Sequence, residues 1–248
     1  MRVAVLQAAG IAGLALCGGQ VYAACTFGGS GEPSLQGALD GLVGPGVVNV
    51  QTGCVSDGND AAWSTLGSVG EVDIAIQLSD NASSDSFGIY DLNDPSRRLT
   101  VFGAGDGVNS VATVKLSAAV GGGWNVRVRG DSSPAWSAPM TVATSAFGFY
   151  LSTASNGTFF SNTGLNADGV DHMYAYQGTG TGDLNGDVFD TNAFILAWED
   201  LAGGGDRDYQ DFVAVVQDMK PSPVPLPTAI WLLASGLISL TGVARRRA

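Results

Sequence analysis

From Phe194 to Val216 the chain reads F-I-L-A-W-E-D-L-A-G-G-G-D-R-D-Y-Q-D-F-V-A-V-V, two apolar runs held apart by a glycine turn crowded with carboxylates. Phe194, Leu196 and Trp198 alternate with smaller residues, and Phe212, Val213, Val215 and Val216 form a second apolar run. The segment therefore predicts two strands joined across Gly203, Gly204 and Gly205, a long hairpin. Glu199, Asp200, Asp206, Asp208 and Asp211 all fall near its turn. Carboxylates gathered this closely repel one another unless a cation, an arginine or water compensates them.

The rest of the chain is read in the same terms. Glycine accounts for 36 of 248 residues and long runs at helical spacing are scarce, which favours short strands joined by tight turns. Strands are expected over Val72 to Leu78, Phe87 to Asp91, Arg98 to Phe102, Val111 to Leu116, Trp124 to Val128, Ala146 to Leu151, Thr158 to Phe160 and His172 to Tyr176, with a further one at Val47 to Val50. Turn clusters such as Asn93-Asp94-Pro95, Gly121 to Gly123 and Asn166 to Gly169 separate them. One short amphipathic helix is expected after Ser34, carrying Leu35, Ala38, Leu39 and Leu42 and ended by Gly44-Pro45-Gly46. The fold class is accordingly all-β, a β-sandwich or jelly-roll-like arrangement with one short N-terminal helix. Phe87-Gly88-Ile89-Tyr90 recurs as Phe147-Gly148-Phe149-Tyr150, an echo that would suit equivalent strands in two sheets.

Both ends carry signals of another kind. Residues 1–23 have one charge at Arg2, an apolar run from Val3 to Leu16, and small residues in Val21-Tyr22-Ala23, the pattern of a secretory signal peptide cut between Ala23 and Ala24. Its removal takes Cys17 and leaves Cys25 and Cys54, an even pair bound for an oxidising compartment and expected to form a disulfide. At the other end, Pro221, Pro223, Pro225 and Pro227 make an extended spacer. Thr228 to Ala244 is then free of charge, and Arg245, Arg246 and Arg247 close the chain. A span of that length with arginines behind it places the C-terminus in the cytoplasm and the body across the inner membrane, either as a permanent anchor or transiently. The expected organisation is a signal peptide at 1–23, a secreted β-rich domain at 24–220 and a sorting segment at 221–248. Without Arg2 and the three terminal arginines, seven of the 11 basic residues remain against 23 acidic ones, a charge of −16. Such a chain has no means of neutralising a phosphate backbone, so nucleic acid is excluded as a partner, whereas divalent cations are favoured.

The C-terminal order of Val224-Pro225-Leu226-Pro227 box, apolar span and arginine cluster resembles the PEP-CTERM sorting signal in its V-P-L-P-A variant, with Thr228 where that variant usually has alanine. The resemblance implies recognition and cleavage of the tail by an exosortase, after signal peptidase has acted, and delivery of the body to the cell surface or extracellular matrix. The body, from about Leu35 to Gln217, is also similar to a bacterial secreted domain of unknown function. The similarity is carried by Phe87-Gly88-Ile89-Tyr90-Asp91, Phe147-Gly148-Phe149-Tyr150-Leu151, Asp171-His172-Met173 and Trp198-Glu199-Asp200-Leu201 with Gly203 to Tyr209 and Asp211. Gln210 and Ala202 stand where that family usually has asparagine and often has proline, which implies a looser turn.

Two accounts of the hairpin follow. In one, Asp206 and Asp208 project to one strand face and, with Asp211, Asp200, Glu199 and loop carbonyls, form an oxygen shell for calcium. In the other, the aspartates cap turns and pair with Arg207. A second acidic run, Asp183-Leu184-Asn185-Gly186-Asp187 with Asp190, imitates the start of an EF-hand loop but lacks its later glycine and acid, and is expected to be a solvated turn. His172 is the only histidine, with no nucleophile motif beside it, so it is expected to be a hydrogen-bonded strand residue and the chain no enzyme. The function expected is a structural or adhesive role at the surface or in the matrix. The alternative is a carbohydrate-binding module whose tryptophans and tyrosines stack on extracellular polysaccharide.

Overall fold

The computed structural model describes residues 22–23, 25–27, 34–67, 70–79, 84–130, 133, 135–184 and 186–222. The apolar segment of the signal peptide, the Val224 to Pro227 box, the C-terminal span and Arg245 to Arg247 lie outside the described residues. No helix among those described is long and apolar enough to cross a membrane.

The described chain is mostly β. In order, the strands are β1 (Tyr22–Ala23), β2 (Cys54–Val55), β3 (Trp63–Thr65), β4 (Gly70–Ser79), β5 (Ser86–Asp91), β6 (Asp94–Phe102), β7 (Val111–Ala118), β8 (Trp124–Gly130) and β9 (Met140–Val142). There follow β10 (Ala146–Thr153), β11 (Gly157–Phe160), β12 (Met173–Gln177), β13 (Asp183–Leu184), β14 (Asp187–Val188), β15 (Phe194–Trp198), β16 (Phe212–Val216) and β17 (Met219–Pro221). Two helices interrupt them, α1 (Leu35–Val43) and the single turn α2 (Asp57–Asp60). A nine-stranded sheet has the order β1-β2-β12-β15-β16-β4-β7-β8-β9, and a second sheet runs β17-β3-β10-β5-β6 with β11 alongside β10. All pairings are antiparallel.

The two sheets pack face to face, as a sandwich does. Trp63, Phe87, Ile89, Phe147 and Phe149 of the smaller sheet meet Ile74, Val114, Met173, Phe194, Leu196, Trp198 and Phe212 of the larger in one continuous core. Aromatic rings link the layers: Trp63 stands edge-on to Phe194 at 4.9 Å, and Phe87 stacks on Phe212 at 5.1 Å. The outer face of the larger sheet is covered as well. Leu35, Leu39 and Val43 of α1 lie with Val48, Val50, Tyr176, Ile195, Val213 and Val215 in a second core. This is why β15 and β16 are buried at every position, where one-sided burial would give strict alternation.

The helix begins and ends where its caps stand, with the Ser34 hydroxyl accepting from Gly37 N and the Gly44 amide donating to the Asp40 carbonyl. Val47 to Val50, expected as a strand, is instead an irregular return under α1. Gln36 claims its hydrogen bonds, donating from Nε2 to the Val48 carbonyl and accepting from Val50 N. The repeated Phe-Gly-x-Tyr segments are not counterparts in two sheets: Gly148 pairs with Tyr90 and Tyr150 with Gly88 on neighbouring strands of one sheet. The β-domain also reaches past residue 220. Pro221 ends β17 opposite Trp63, a site where a strand tolerates a residue without an N–H, and Ser222 N donates to the Ala62 carbonyl. At the other end β1 pairs with β2, and Cys25 and Cys54 form a disulfide with Cα atoms 6.3 Å apart.

Candidate metal centre

β15 and β16 pair from Phe194 opposite Val216 to Trp198 opposite Phe212. The ladder stops there, so all five acidic residues lie in the connection 199–211 and none on a strand face. The alternation expected to aim Asp206 and Asp208 together is therefore replaced by loop geometry. Residues 202–204 make a short 3-10 turn, and Arg207 (φ 59°) and Tyr209 (φ 57°) take left-handed backbone on either side of Asp208. Gly205 is bound to its identity by position: at φ 42°, a Cβ there would come within 2.3 Å of Glu199 Oε1.

The turn is wound around the Glu199 carboxylate. Glu199 is fully buried; its Oε1 accepts from Leu201 N at 3.2 Å and its Oε2 from Arg207 N at 2.9 Å. Asp208, also buried, accepts from Gln210 N and from Gln210 Nε2 at 3.0 Å. Gln210 thus fixes Asp208 in place, contrary to the looser turn expected from its replacement of asparagine. Asp211 accepts from Asp200 N at 3.0 Å. Two groups of carboxylates result, Glu199 with Asp206 and Asp208, and Glu199 with Asp200 and Asp211, and in each the ligand oxygens lie within 4.8 Å of one another. Glu199 belongs to both.

Electrostatics accord with a crowded anionic site. Burial first, then the charges of Asp211 and Asp206, push Glu199 up to about 8 against the opposing amides of Leu201 and Arg207. Burial and the charges of Asp200, Asp208 and Asp206 likewise raise Asp211 to about 7. The ion pairs Arg97 with Asp91, Lys115 with Glu71 and His172 with Asp168 among the described residues take in none of Glu199, Asp206, Asp208 and Asp211. Arg207 contributes its backbone amide rather than an ion pair.

One member of the constellation was not legible in the sequence. Asp85, just before β5, is buried; its Oδ1 accepts from the Ser84 hydroxyl at 3.1 Å while its Oδ2 has no hydrogen-bond partner, and burial first, opposed by that hydroxyl and reinforced by neighbouring Asp200, raises it to about 6. It is an ordinary Asp in a serine-rich stretch, and only the packing of β5 beneath the hairpin brings it there.

His172, one residue before β12, is buried between acceptors. Nδ1 lies 2.9 Å from the Glu199 carbonyl and Nε2 3.0 Å from Asp168 Oδ2, while the ring stacks on Phe159 at 3.8 Å. Asp168 in turn accepts from Gly203 N at 2.7 Å. Partial burial opposes its charge, but the amides of Gly203 and Val170 and the His172 ring outweigh that and hold Asp168 at about 2. His172 is thus a brace for the turn. The other acidic run forms a small hairpin of β13 and β14 in which Asp183 Oδ1 accepts from Gly186 N, apart from the centre.

Of the tryptophans, Trp63 and Trp198 are core residues, Trp124 packs against the core, and half-buried Trp136 lies between Lys115 and Arg129. Trp231 lies outside the described residues.

Residues 138–218, from β9 through β16, match the profile of a family described as a domain of unknown function, DUF4114. The match takes in every hairpin carboxylate and His172 but not Asp85. No curated protein and no solved structure matches the chain.

Proposed function

We propose that this chain is an exported, non-enzymatic protein of the cell surface or extracellular matrix, sorted through its C-terminal tail by an exosortase, whose hairpin binds calcium in a structural or adhesive module. The observation that carries the calcium reading is Glu199, fully buried and shared by two carboxylate groups with oxygens within 4.8 Å of one another. An all-oxygen anionic donor set suits a hard cation and disfavours softer metals. Calcium there would cross-link β15, β16 and, through Asp85, the opposing sheet. The non-enzymatic reading is supported by His172, whose two ring nitrogens are both engaged by acceptors. Export rests on the sequence pattern of the two ends.

Thermal unfolding of the full chain with calcium and with chelator tests the site. A ligand that binds only the folded state at a hundredfold excess over its Kd adds about 2.7 kcal/mol, a readily measured rise in Tm. Glu199→Gln should reduce that rise more than Asp206→Asn with Asp208→Asn, which leaves the second group intact. Equal responses in the parent and the Glu199→Gln chain would leave the hairpin a capped turn.

Carbohydrate binding is the second reading, and Trp136 flanked by Lys115 and Arg129 is the ring that favours it. Retention on an insoluble acidic polysaccharide, lost in Trp136→Ala, would support it.

A further inference from the structure

We propose a second cation site, separate from the hairpin, in which Asp60 and Asp171, with Asp57 at the mouth, hold a hard divalent cation between α2 and the start of β12. Asp60 is the last residue of α2 and is wholly buried, yet neither of its carboxylate oxygens has a hydrogen-bond partner. Its backbone is held firmly, since its carbonyl accepts from Trp63 Nε1 at 2.6 Å. Asp171 is fixed on the other side: Oδ1 accepts from Met173 N at 3.1 Å, and its carbonyl accepts from the Tyr209 hydroxyl at 2.7 Å. Asp57 Oδ1 accepts from the Thr163 hydroxyl at 2.6 Å, which ties the turn at 163–165 to α2.

An anionic carboxylate without partners in a protein interior is strongly disfavoured, and a neighbouring carboxylate makes it worse. Burial is the main influence raising Asp60 well above the usual carboxylate range, with the charges of Asp171 and then Asp57 adding to it and the nearby backbone amides of Asp60 and Ala175 opposing it without closing a well-formed hydrogen bond. Asp171 is lifted by burial to about 7, with Asp57 contributing and the Met173 amide and Thr163 hydroxyl opposing. None of the ion pairs among the described residues involves these three aspartates. The positive charge the group needs must therefore come from a proton or from a bound ion. Three carboxylates and a hydroxyl are all hard oxygen donors, the set that calcium takes, with carbonyls and water completing its shell.

The test is the number of calcium ions bound per full chain, measured by equilibrium dialysis at about 1 mM calcium after stripping with chelator. The parent is compared with Asp60→Asn and with Asp171→Asn, the latter keeping the acceptor for Met173 N should the first variant fail to fold. Each should bind one ion fewer than the parent, or bind that ion about tenfold or more weakly as the ligand charge falls. The Glu199→Gln chain should keep this ion, and terbium luminescence excited through tryptophan should persist there and vanish when Asp60→Asn is added. Unchanged stoichiometry in both aspartate variants, or a Glu199→Gln chain that binds no ion, would overturn the proposal and make Asp60 a protonated acid. Failure of the hairpin reading is a different result, a Glu199→Gln chain that binds as many ions as the parent.

Discussion

Gly148 lies directly beneath the ring of Tyr90 on the neighbouring strand: a Cβ at Gly148 would meet Tyr90 ring atoms at 2.2 Å. The relationship is reciprocal, since a Cβ at Gly88 would stand 2.7 Å from the Tyr150 ring. The two Phe-Gly-x-Tyr segments are thus interlocked, each glycine making room for the other strand's tyrosine, while Phe87 and Phe149 stack on the opposite face at 5.3 Å. Gly148→Ala should destabilise the protein by about 1–3 kcal/mol, the usual range for overpacking, seen as a lower denaturation midpoint. Gly130→Ala is the control, because nothing lies within 4 Å of a Cβ there. Equal midpoints for the two variants would refute the interlock.

Stability of the metal-free chain should fall as pH rises through about 6 to 8. Asp85 at about 6, Asp211 at about 7 and Glu199 at about 8 are all raised from the ordinary carboxylate values of 3.8 or 4.5, so the folded chain holds protons that the unfolded chain has released. Their contribution is fully present below about pH 4 and is lost as pH climbs through the folded values. Asp168, lowered to about 2, acts oppositely: its contribution is present above 3.8 and disappears in acid. If calcium is the ion of the proposed site, it replaces the protons, and its increment in Tm should be small at pH 5 and large at pH 8. Melting curves in chelator and in calcium across that range check this; a chelated protein that grows more stable from pH 6 to 8 would contradict it.

Reduction of the Cys25 to Cys54 disulfide should lower stability by roughly 3 to 4 kcal/mol in the chain-entropy account, given a sequence separation of 29 residues. The loop it closes contains α1 and the return beneath it, so the second core should loosen first. Hydrogen exchange of α1 amides before and after reduction measures this, and peptide mapping without reductant establishes the pairing. Free, alkylatable thiols at both positions in exported protein would defeat it.

Material released by the native host should begin near Ala24 and end close to the Val224 to Pro227 box. The described fold continues to Ser222, so a cut within the box leaves β17 complete, whereas a cut between Ala23 and Ala24 removes the two-residue edge strand β1 and leaves Cys25 bonded to Cys54. Intact-mass analysis gives both ends at once. Recovery of chain still carrying Arg247 would indicate a permanent anchor instead.

What the sequence alone determined is local. Ser34 and Gly44-Pro45-Gly46 delimit α1 because caps act within a few residues, and the main strands show in their apolar patterning because side-chain direction repeats every two residues. The five hairpin carboxylates were visible together because one short connection carries them all. Short strands with no periodicity to read, β3 and β9 among them, were not visible. Nor was the aim of each carboxylate, since the loop sets it through left-handed backbone at Arg207 and Tyr209 rather than through strand alternation. Tertiary structure alone decided the rest. It placed the two Phe-Gly-x-Tyr segments side by side, buried both faces of β15 and β16, brought Asp85 beneath the hairpin, and set Asp60 against Asp171. Each of these depends on which strands become neighbours and in what register. Sheet order is chosen by burial summed over the whole chain, and no stretch of residues carries that sum within itself.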